Sequence, residues 1–304
     1  VVPAYTFDNV NGQFPIGFHI WNTSIKERFN YIKADVYDEK SQLIGHKGFY
    51  GNLPESINRW IKLYDFKDIK GIGFMENPAP DFQNNKFLNI YNIEGTRHVN
   101  YFNFNNKNLI QGCLYFTTRL CIEATWLNDR DQFLYPNDGW KSDTEFQNDC
   151  LAFTLFHTQN RITSKEGINH WIPFTEDEVN ARDKFDSHFM TDFIQGKIKT
   201  NDENTIFANS EKQNTPLIFS NEAKAVFDAG RELWRYYHSQ PNSNPNASYY
   251  DIREYFQGRD EKGKMKNKSD DKKYMELLSN LKDAIAVLAK KIEQKVYEYG
   301  FLMK

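Results

Sequence analysis

The chain has 304 residues, a formal net charge of −3 and an aromatic content of 16%. This length suits two or three domains, and the aromatic residues are numerous enough to build sizeable cores. The slightly acidic balance excludes a global electrostatic attraction to nucleic acid, and the lack of any run of eighteen apolar residues excludes a membrane-spanning helix.

Residues 1–66 predict β structure ahead of one short helix. The apolar run Phe14–Trp21 has the length of a strand. The stretches Tyr31–Tyr37 and Leu43–Phe49 flank a polar turn, which is typical of a hairpin. Apolar residues at helical spacing between Ile57 and Tyr64 then predict the helix, which follows Pro54.

The central part predicts short strands followed by helices. A loop rich in Pro and Asn separates the first two strands. The predicted strands are Ile72–Met75, Phe87–Ile93 and His98–Phe104. The predicted helices are Asn108–Cys121, Phe146–Phe156 and one or two within Glu176–Ile194.

The last part predicts helices only. Residues 196–215 are polar and predict a surface loop, after which helices are expected over Ser220–Tyr237, Tyr249–Phe256 and Lys272–Tyr297. The last of these is long and amphipathic, and packing back on its own chain is the more ordinary use of its apolar stripe. Together these patterns predict an α+β fold.

The sequences of several segments resemble those of bacterial N6-adenine DNA methyltransferases of type II restriction–modification systems. The segments that carry this resemblance are Val1–Val10, Phe14–Trp21, Trp126–Pro136, Glu145–Cys150, Gly167–Phe174 and Asp251–Gly258. The resemblance implies that residues 1–66 are the late strands and hairpin of a Rossmann-like methyltransferase sheet. It further implies a mixed target-recognition domain over residues 67–215 and a helical C-terminal region over residues 216–304.

The two catalytic motifs of this family are not found. Such an enzyme binds S-adenosylmethionine with a Gly-rich loop and holds the extruded adenine with an (Asn/Asp)-Pro-Pro-(Tyr/Phe) loop. The nearest match, Asn77–Pro80, lacks the aromatic residue and follows the late strands, so we interpret it as an ordinary turn. We therefore expect a fragment of a longer enzyme that cannot methylate alone. S-adenosylmethionine would bind to the rest of the parent protein and not to this chain.

Two sets of residues are candidates for contact with bases. Phe14 and Phe18 could line the base pocket, since the family has an aromatic residue near its late hairpin, although core packing is the alternative. Asn128, Arg130 and Gln132 lie in a dense polar segment, and such side chains read adenine and guanine through paired hydrogen bonds. The alternative for this segment is a structural loop with an internal Arg–Asp network.

A charged run predicts contacts with DNA phosphates. It spans Arg259–Lys273 and contains four acidic and seven basic residues, of which the candidate contacts are Arg259, Lys262, Lys264, Lys266 and Lys268. Flexible cations suffice to hold phosphates, which dominate affinity for double-stranded DNA. A solvated loop is the alternative, because the acidic residues offset much of the charge.

Other functions are weaker hypotheses. A non-catalytic module could hold a partner subunit, or a second copy, through the last helix. A nuclease of the Asp…Glu-x-Lys type, with Asp202, Glu222 and Lys224, is the weakest hypothesis. Nucleases of this type carry the Glu and the Lys on a strand, whereas Glu222 and Lys224 lie at the start of a predicted helix. No catalytic or cofactor-binding residue is predicted, because the motifs of the family are missing. No metal-binding residue is predicted, because the histidines are scattered. Three cysteines without a CxxC pair predict reduced thiols and a cytoplasmic protein.

Overall fold

The β structure consists of three small antiparallel sheets. The computed structural model describes residues 1–20, 22–93, 100–198 and 215–304. The first two sheets pair β1 (Val2–Pro3) with β2 (Pro15–Ile16), and β3 (Tyr31–Tyr37) with β4 (Leu43–Tyr50). In the third sheet β5 (Gly73–Glu76) lies between β6 (Ile90–Tyr91) and β7 (Tyr101–Phe104). The predicted hairpin and the α+β class are confirmed.

Eight α-helices follow or interrupt these strands in the described residues. They are α1 (Ile57–Lys62), α2 (Leu109–Leu120), α3 (Thr144–Phe156), α4 (Glu176–Val179), α5 (Phe189–Ile194), α6 (Asn221–His238), α7 (Tyr249–Gln257) and α8 (Lys272–Glu298). Capping residues begin the long helices α3, α6 and α8. The side chains of Asp143, Ser220 and Asp271 accept hydrogen bonds from backbone N–H groups in the first turns of these helices.

A single buried cluster joins the helices to the third sheet. It runs from Ile57 in α1 to Leu302 near the C-terminus, so residues on both sides of the predicted boundaries at 66/67 and 215/216 contribute to it. Helix α8 packs mainly on α6 and α3, with its apolar stripe buried against them. Packing of the last helix on its own chain is therefore confirmed. None of the helices in the described ranges combines the length and apolarity needed to cross a membrane.

Two predicted strands are wrong in extent. Within Phe14–Trp21 only Pro15–Ile16 is paired, and Phe18 is 75% exposed. A strand is stable only when a neighbour satisfies its backbone groups, and no described segment pairs with residues 17–20. Within Phe87–Ile93 only Ile90–Tyr91 is paired, because Asp81 caps a 3-10 helix over Phe82–Phe87 instead.

A lysine fastens α8 to the helices beneath it. The Nζ of Lys291 lies 2.6 Å from Glu145 in α3, 3.2 Å from Asp149 in α3 and 3.3 Å from Glu222 in α6. The side chain of Asp149 is only 1% exposed, so its charge depends on this lysine and on the backbone N–H of Ser220.

We expect the substitution Lys291→Met to lower the free energy of unfolding by about 1–2 kcal/mol, because it leaves the buried Asp149 carboxylate without its cation. Urea denaturation measures this change. The matched control is Lys290→Met, since Lys290 is 80% exposed and pairs only with Glu293 on the same helix. Equal effects of the two substitutions would contradict the fastening role of Lys291.

His157 ends α3 in an apolar environment. Its ring stacks on Phe153 at 5.0 Å between centroids and meets the edge of Phe116 at 5.5 Å. Its Nδ1 accepts a hydrogen bond from the backbone N–H of Gln159, which suits a neutral imidazole. Burial, and secondarily the charge of Arg253, lower the pKa of His157 from 6.5 to about 4.

Acid should therefore destabilise the fold through His157. The unfolded chain binds this proton more readily than the folded one, so the stabilisation is complete above pH 6.5 and is lost as the pH falls towards 4. The variant His157→Phe keeps the ring packing and should flatten the decline of unfolding free energy with falling pH, as measured by urea denaturation at several pH values. An unchanged pH dependence would exclude this role. Burial also lowers the pKa of His238 to about 4, so part of the decline should remain.

Candidate nucleic-acid interface

Residues 258–268 form a folded turn that we call the basic turn. Gly258 and Gly263 have φ values of 65° and 73°, which favour glycine at both positions. The backbone N–H of Asp260 donates to the carbonyl of Lys264 at 2.9 Å, and that of Lys266 donates to the carbonyl of Gly258 at 3.0 Å. The predicted charged run is thus held in a defined conformation over these residues.

Arg259 anchors the basic turn. Its guanidinium donates to Glu254 at 2.9 Å, to the carbonyl of Gly263 at 2.8 Å and to the hydroxyl of Tyr250 at 2.9 Å. Hydrogen bonds to Glu254 and then to Tyr250 raise the pKa of Arg259, so its charge is firmly held. Of the five residues predicted to contact phosphates, Arg259 is therefore already hydrogen-bonded to other residues of the chain.

The other four cations face solvent. Lys262, Lys264, Lys266 and Lys268 are exposed, and none of them forms an ion pair with any residue that the structure describes. The carboxylate of Asp260 instead accepts the backbone N–H groups of Lys262 and Lys264 at 3.0 and 2.8 Å. The turn therefore presents four free ammonium groups, as phosphate binding requires.

The polar segment that contains Asn128, Arg130 and Gln132 is largely a structural connection. The amide of Asn128 is used locally, since its oxygen accepts from the backbone N–H of Thr125 and its nitrogen donates to the carbonyl of Glu123. Arg130 is 62% exposed and lies 3.4 Å from Asp129, while Gln132 is exposed. This arrangement leaves Arg130 and Gln132 as the side chains that a DNA groove could reach.

The backbone after this polar segment forms hydrogen bonds with other parts of the fold. The N–H groups of Phe133, Leu134 and Asn137 donate to the carbonyls of Pro80, Phe301 and Tyr299, at 2.8 Å each. These hydrogen bonds join the segment to the C-terminal residues. A half-buried ion pair between Lys47 and Asp131 ties it to β4 as well. The internal Arg–Asp pairing that we weighed as an alternative is present between Arg130 and Asp129.

The two candidate base-pocket residues differ in environment. Phe14 is half-buried, with its ring against the backbone of Gly12 and its carbonyl accepting from Ala4. Phe18 is largely exposed, and its ring lies 6.1 Å from that of Phe7. Core packing, the alternative considered for both residues, therefore does not apply to Phe18.

Arg119 is a buried polar residue that was not predicted from the sequence. Arg119 in α2 is fully buried and has no carboxylate within ion-pair distance among the described residues. It donates to the side chain of Asn85 at 2.7 Å, to the hydroxyl of Tyr115 at 2.9 Å and to the carbonyls of Ala79 and Asp81 at 3.1 and 3.2 Å. A lone arginine on an apolar helix was the available signal.

The loop Asn77–Pro80 is held by this network. Tyr115 donates its hydroxyl proton to an amide oxygen of Asn77 or Asn58, and Asn58 donates to the carbonyl of Pro78 at 2.9 Å. With Arg119 bound at Ala79 and Phe133 at Pro80, every residue of the loop has a partner within the fold. Its interpretation as a structural turn agrees with these contacts.

Other chemistries find no support in the described residues. No group of three or more His, Cys, Asp or Glu side chains could hold a metal ion there. The three cysteines are buried, and burial raises the pKa of the Cys113 thiol to about 12, which disfavours the reactive thiolate. Glu222 lies at the start of α6 beside Lys291, and Asp202 lies outside the described residues.

Removal of the buried cation should loosen the Asn77–Pro80 loop. The substitution Arg119→Met leaves the carbonyls of Ala79 and Asp81 and the side chain of Asn85 without their donor, so we expect a loss of about 3 kcal/mol in unfolding free energy. Thermal and urea denaturation measure it. The exposed Arg130→Met variant is the control, and similar stability of the two variants would refute the network's role.

Comparison of the chain with protein-family models, with curated proteins and with solved structures finds no match. The functional conclusion therefore depends on the geometry described above and on the resemblance of the segments.

Proposed function

We propose that this chain is the DNA-recognition part of an S-adenosylmethionine-dependent N6-adenine DNA methyltransferase of a restriction–modification system. The observation that carries the proposal is the basic turn, whose four exposed lysines, Lys262, Lys264, Lys266 and Lys268, form no ion pair with the described residues. Its partner is double-stranded DNA in a cytoplasmic setting. The cofactor is bound by the parent enzyme, and this chain alone transfers no methyl group.

The basic turn supplies affinity rather than sequence specificity. Each ammonium group that neutralises a phosphate releases a condensed counterion, which makes binding strongly dependent on salt. Base reading falls to Arg130 and Gln132, the exposed members of the polar segment. Arg pairs with guanine and Gln with adenine in the major groove.

The N-terminal residues fit the end of a Rossmann-like methyltransferase sheet in this proposal. The hairpin of β3 and β4 has only two strands, and such a hairpin is marginally stable by itself. Ile32 and Ile44 on this hairpin are exposed, as are Phe18 and Ile20 earlier in the chain, which suits packing against further protein. Phe18 remains the better candidate for a base-pocket aromatic residue because its ring is accessible.

A partner-binding module is the alternative function. Its proposed surface, the apolar stripe of α8, is buried within this chain, so only the exposed face of the helix is available to a partner. Self-association through the stripe would require α8 to detach from α6. Light scattering after size-exclusion chromatography tests this alternative, because a stable dimer that Val287→Glu on the exposed face of α8 disrupts would favour it, and a monomer would count against it.

The DNA-binding proposal predicts a specific response to charge removal. Replacing the four lysines of the basic turn with Gln should weaken binding to duplex DNA by about tenfold or more at low salt. It should also reduce the dependence of log K on log salt by up to about 0.9 per lost phosphate contact. Fluorescence anisotropy across a salt series measures both quantities.

The matched control replaces four exposed lysines elsewhere, Lys26, Lys40, Lys224 and Lys282, and makes the same change in net charge. Its salt dependence should stay at the wild-type value. Equal weakening by both sets would reduce the effect to net charge, and no duplex binding by the unaltered chain at low salt would refute the proposal.

A further inference from the structure

A cavity of about 490 Å³ opens between α1 and the third sheet. The end of α1 and the loop after it contribute Lys62, Asp65 and Lys67, while β5 contributes Phe74 and the residue after β5 is Asn77. The remaining wall is residues 100–103, in and before β7. The volume lies in the range of about 300–1,000 Å³ that is common for small-molecule sites. The cavity shares no residue with the basic turn.

The side-chain amide of Asn77 contributes a polar group to this cavity. The guanidinium of Arg119 can only donate, so the hydroxyl oxygen of Tyr115 accepts from it and the hydroxyl proton goes to an amide oxygen. The Oδ1 of Asn77 lies within hydrogen-bond distance of that hydroxyl. The Nδ2 of Asn77 makes no hydrogen bond with any residue in the described part of the chain, so it is available to a ligand.

The rim of the cavity carries more available positive than negative charge. Lys62 and Lys67 are exposed and form no ion pair within the described residues. Asp65 is half-buried, and its carboxylate accepts the backbone N–H of Asn103 at 3.4 Å. Within the described residues, two ammonium groups without ion pairs and an amide group suit a ligand rich in hydrogen-bond acceptors, and the ring of Phe74 offers an apolar surface beside them.

We propose that this cavity binds a single nucleotide. Lys62 and Lys67 hold its phosphate, the Nδ2 of Asn77 donates to an acceptor on the base, and Phe74 contacts the base. This chemistry is shared by a free nucleoside monophosphate and by an unpaired nucleotide in a DNA strand. The site does not depend on the proposed role of the basic turn.

Isothermal titration calorimetry with each of the four deoxynucleoside monophosphates, with inorganic phosphate and with a short single-stranded oligonucleotide tests the proposal. The side-chain amide signals of Asn77 in nitrogen-15 NMR spectra report occupancy directly. We expect at least one nucleotide to bind and to shift these signals, and inorganic phosphate to bind more weakly. Tighter binding of the oligonucleotide identifies the strand as the source, and tighter binding of the monophosphate identifies the free nucleotide.

The double variant Lys62→Gln/Lys67→Gln should weaken binding by about tenfold, since two charge-assisted contacts are lost. The variant Asn77→Asp keeps an acceptor for Tyr115 but replaces the donor with a negative charge, so it should weaken binding as well. Lys40→Gln/Lys282→Gln is the control of equal charge. Circular dichroism melting identifies any variant that fails to fold, and the lysine pair keeps the test valid because both side chains are exposed.

Three results would overturn the proposal. They are no binding of any nucleotide at millimolar concentration, binding that the Lys62 and Lys67 substitutions leave unchanged, and inorganic phosphate binding as tightly as the nucleotides. The four-lysine variant of the basic turn should retain nucleotide binding. Loss of duplex binding with intact nucleotide binding, or the reverse, therefore separates failure of one proposal from failure of the other.

Discussion

The buried guanidinium of Arg119 is the constraint on which the centre of this molecule depends. A cation removed from water without a carboxylate partner is strongly destabilising unless its donors are satisfied. Here the acceptors come from the loop after β5, from Asn85 and from Tyr115 one turn earlier on α2. Because these acceptors are brought together only in the folded chain, the arginine fixes the loop, the 3-10 helix and α2 relative to one another.

This constraint extends from the core to both candidate surfaces of the central region. On one side Tyr115 orients Asn77, and Asn77 lines the cavity beside α1. On the other side the ring of Phe133 lies 5.9 Å from the guanidinium, and the backbone beyond Phe133 is bonded to the C-terminal residues that end α8. The polar segment with Arg130 and Gln132 is thus supported by the same network that positions the cavity.

Features that depend on neighbours in the sequence could be predicted, and features that depend on distant partners could not. The capping residues and the stripe of α8 are local, and they located the long helices closely. The run Phe14–Trp21 looked like a strand because composition reveals the propensity of a segment but not whether a partner strand exists. Arg119 was missed for a related reason, since all of its acceptors except Tyr115 lie 34 to 40 residues away along the chain.

The charge that the basic turn presents also could not be predicted from the sequence, because it depends on which side chains are paired in the folded chain. In the sequence, residues 259–273 carry seven basic and four acidic side chains, so the acidic residues offset much of the positive charge. In the folded chain Asp260 caps backbone N–H groups within the turn, and Asp271 caps α8 while accepting from Tyr236. Both carboxylates are held against the backbone and the helix start, whereas Glu261, Asp270 and the four lysines are exposed. The four exposed lysines therefore outnumber the exposed carboxylates of Glu261 and Asp270, and this excess of positive charge favours phosphate binding.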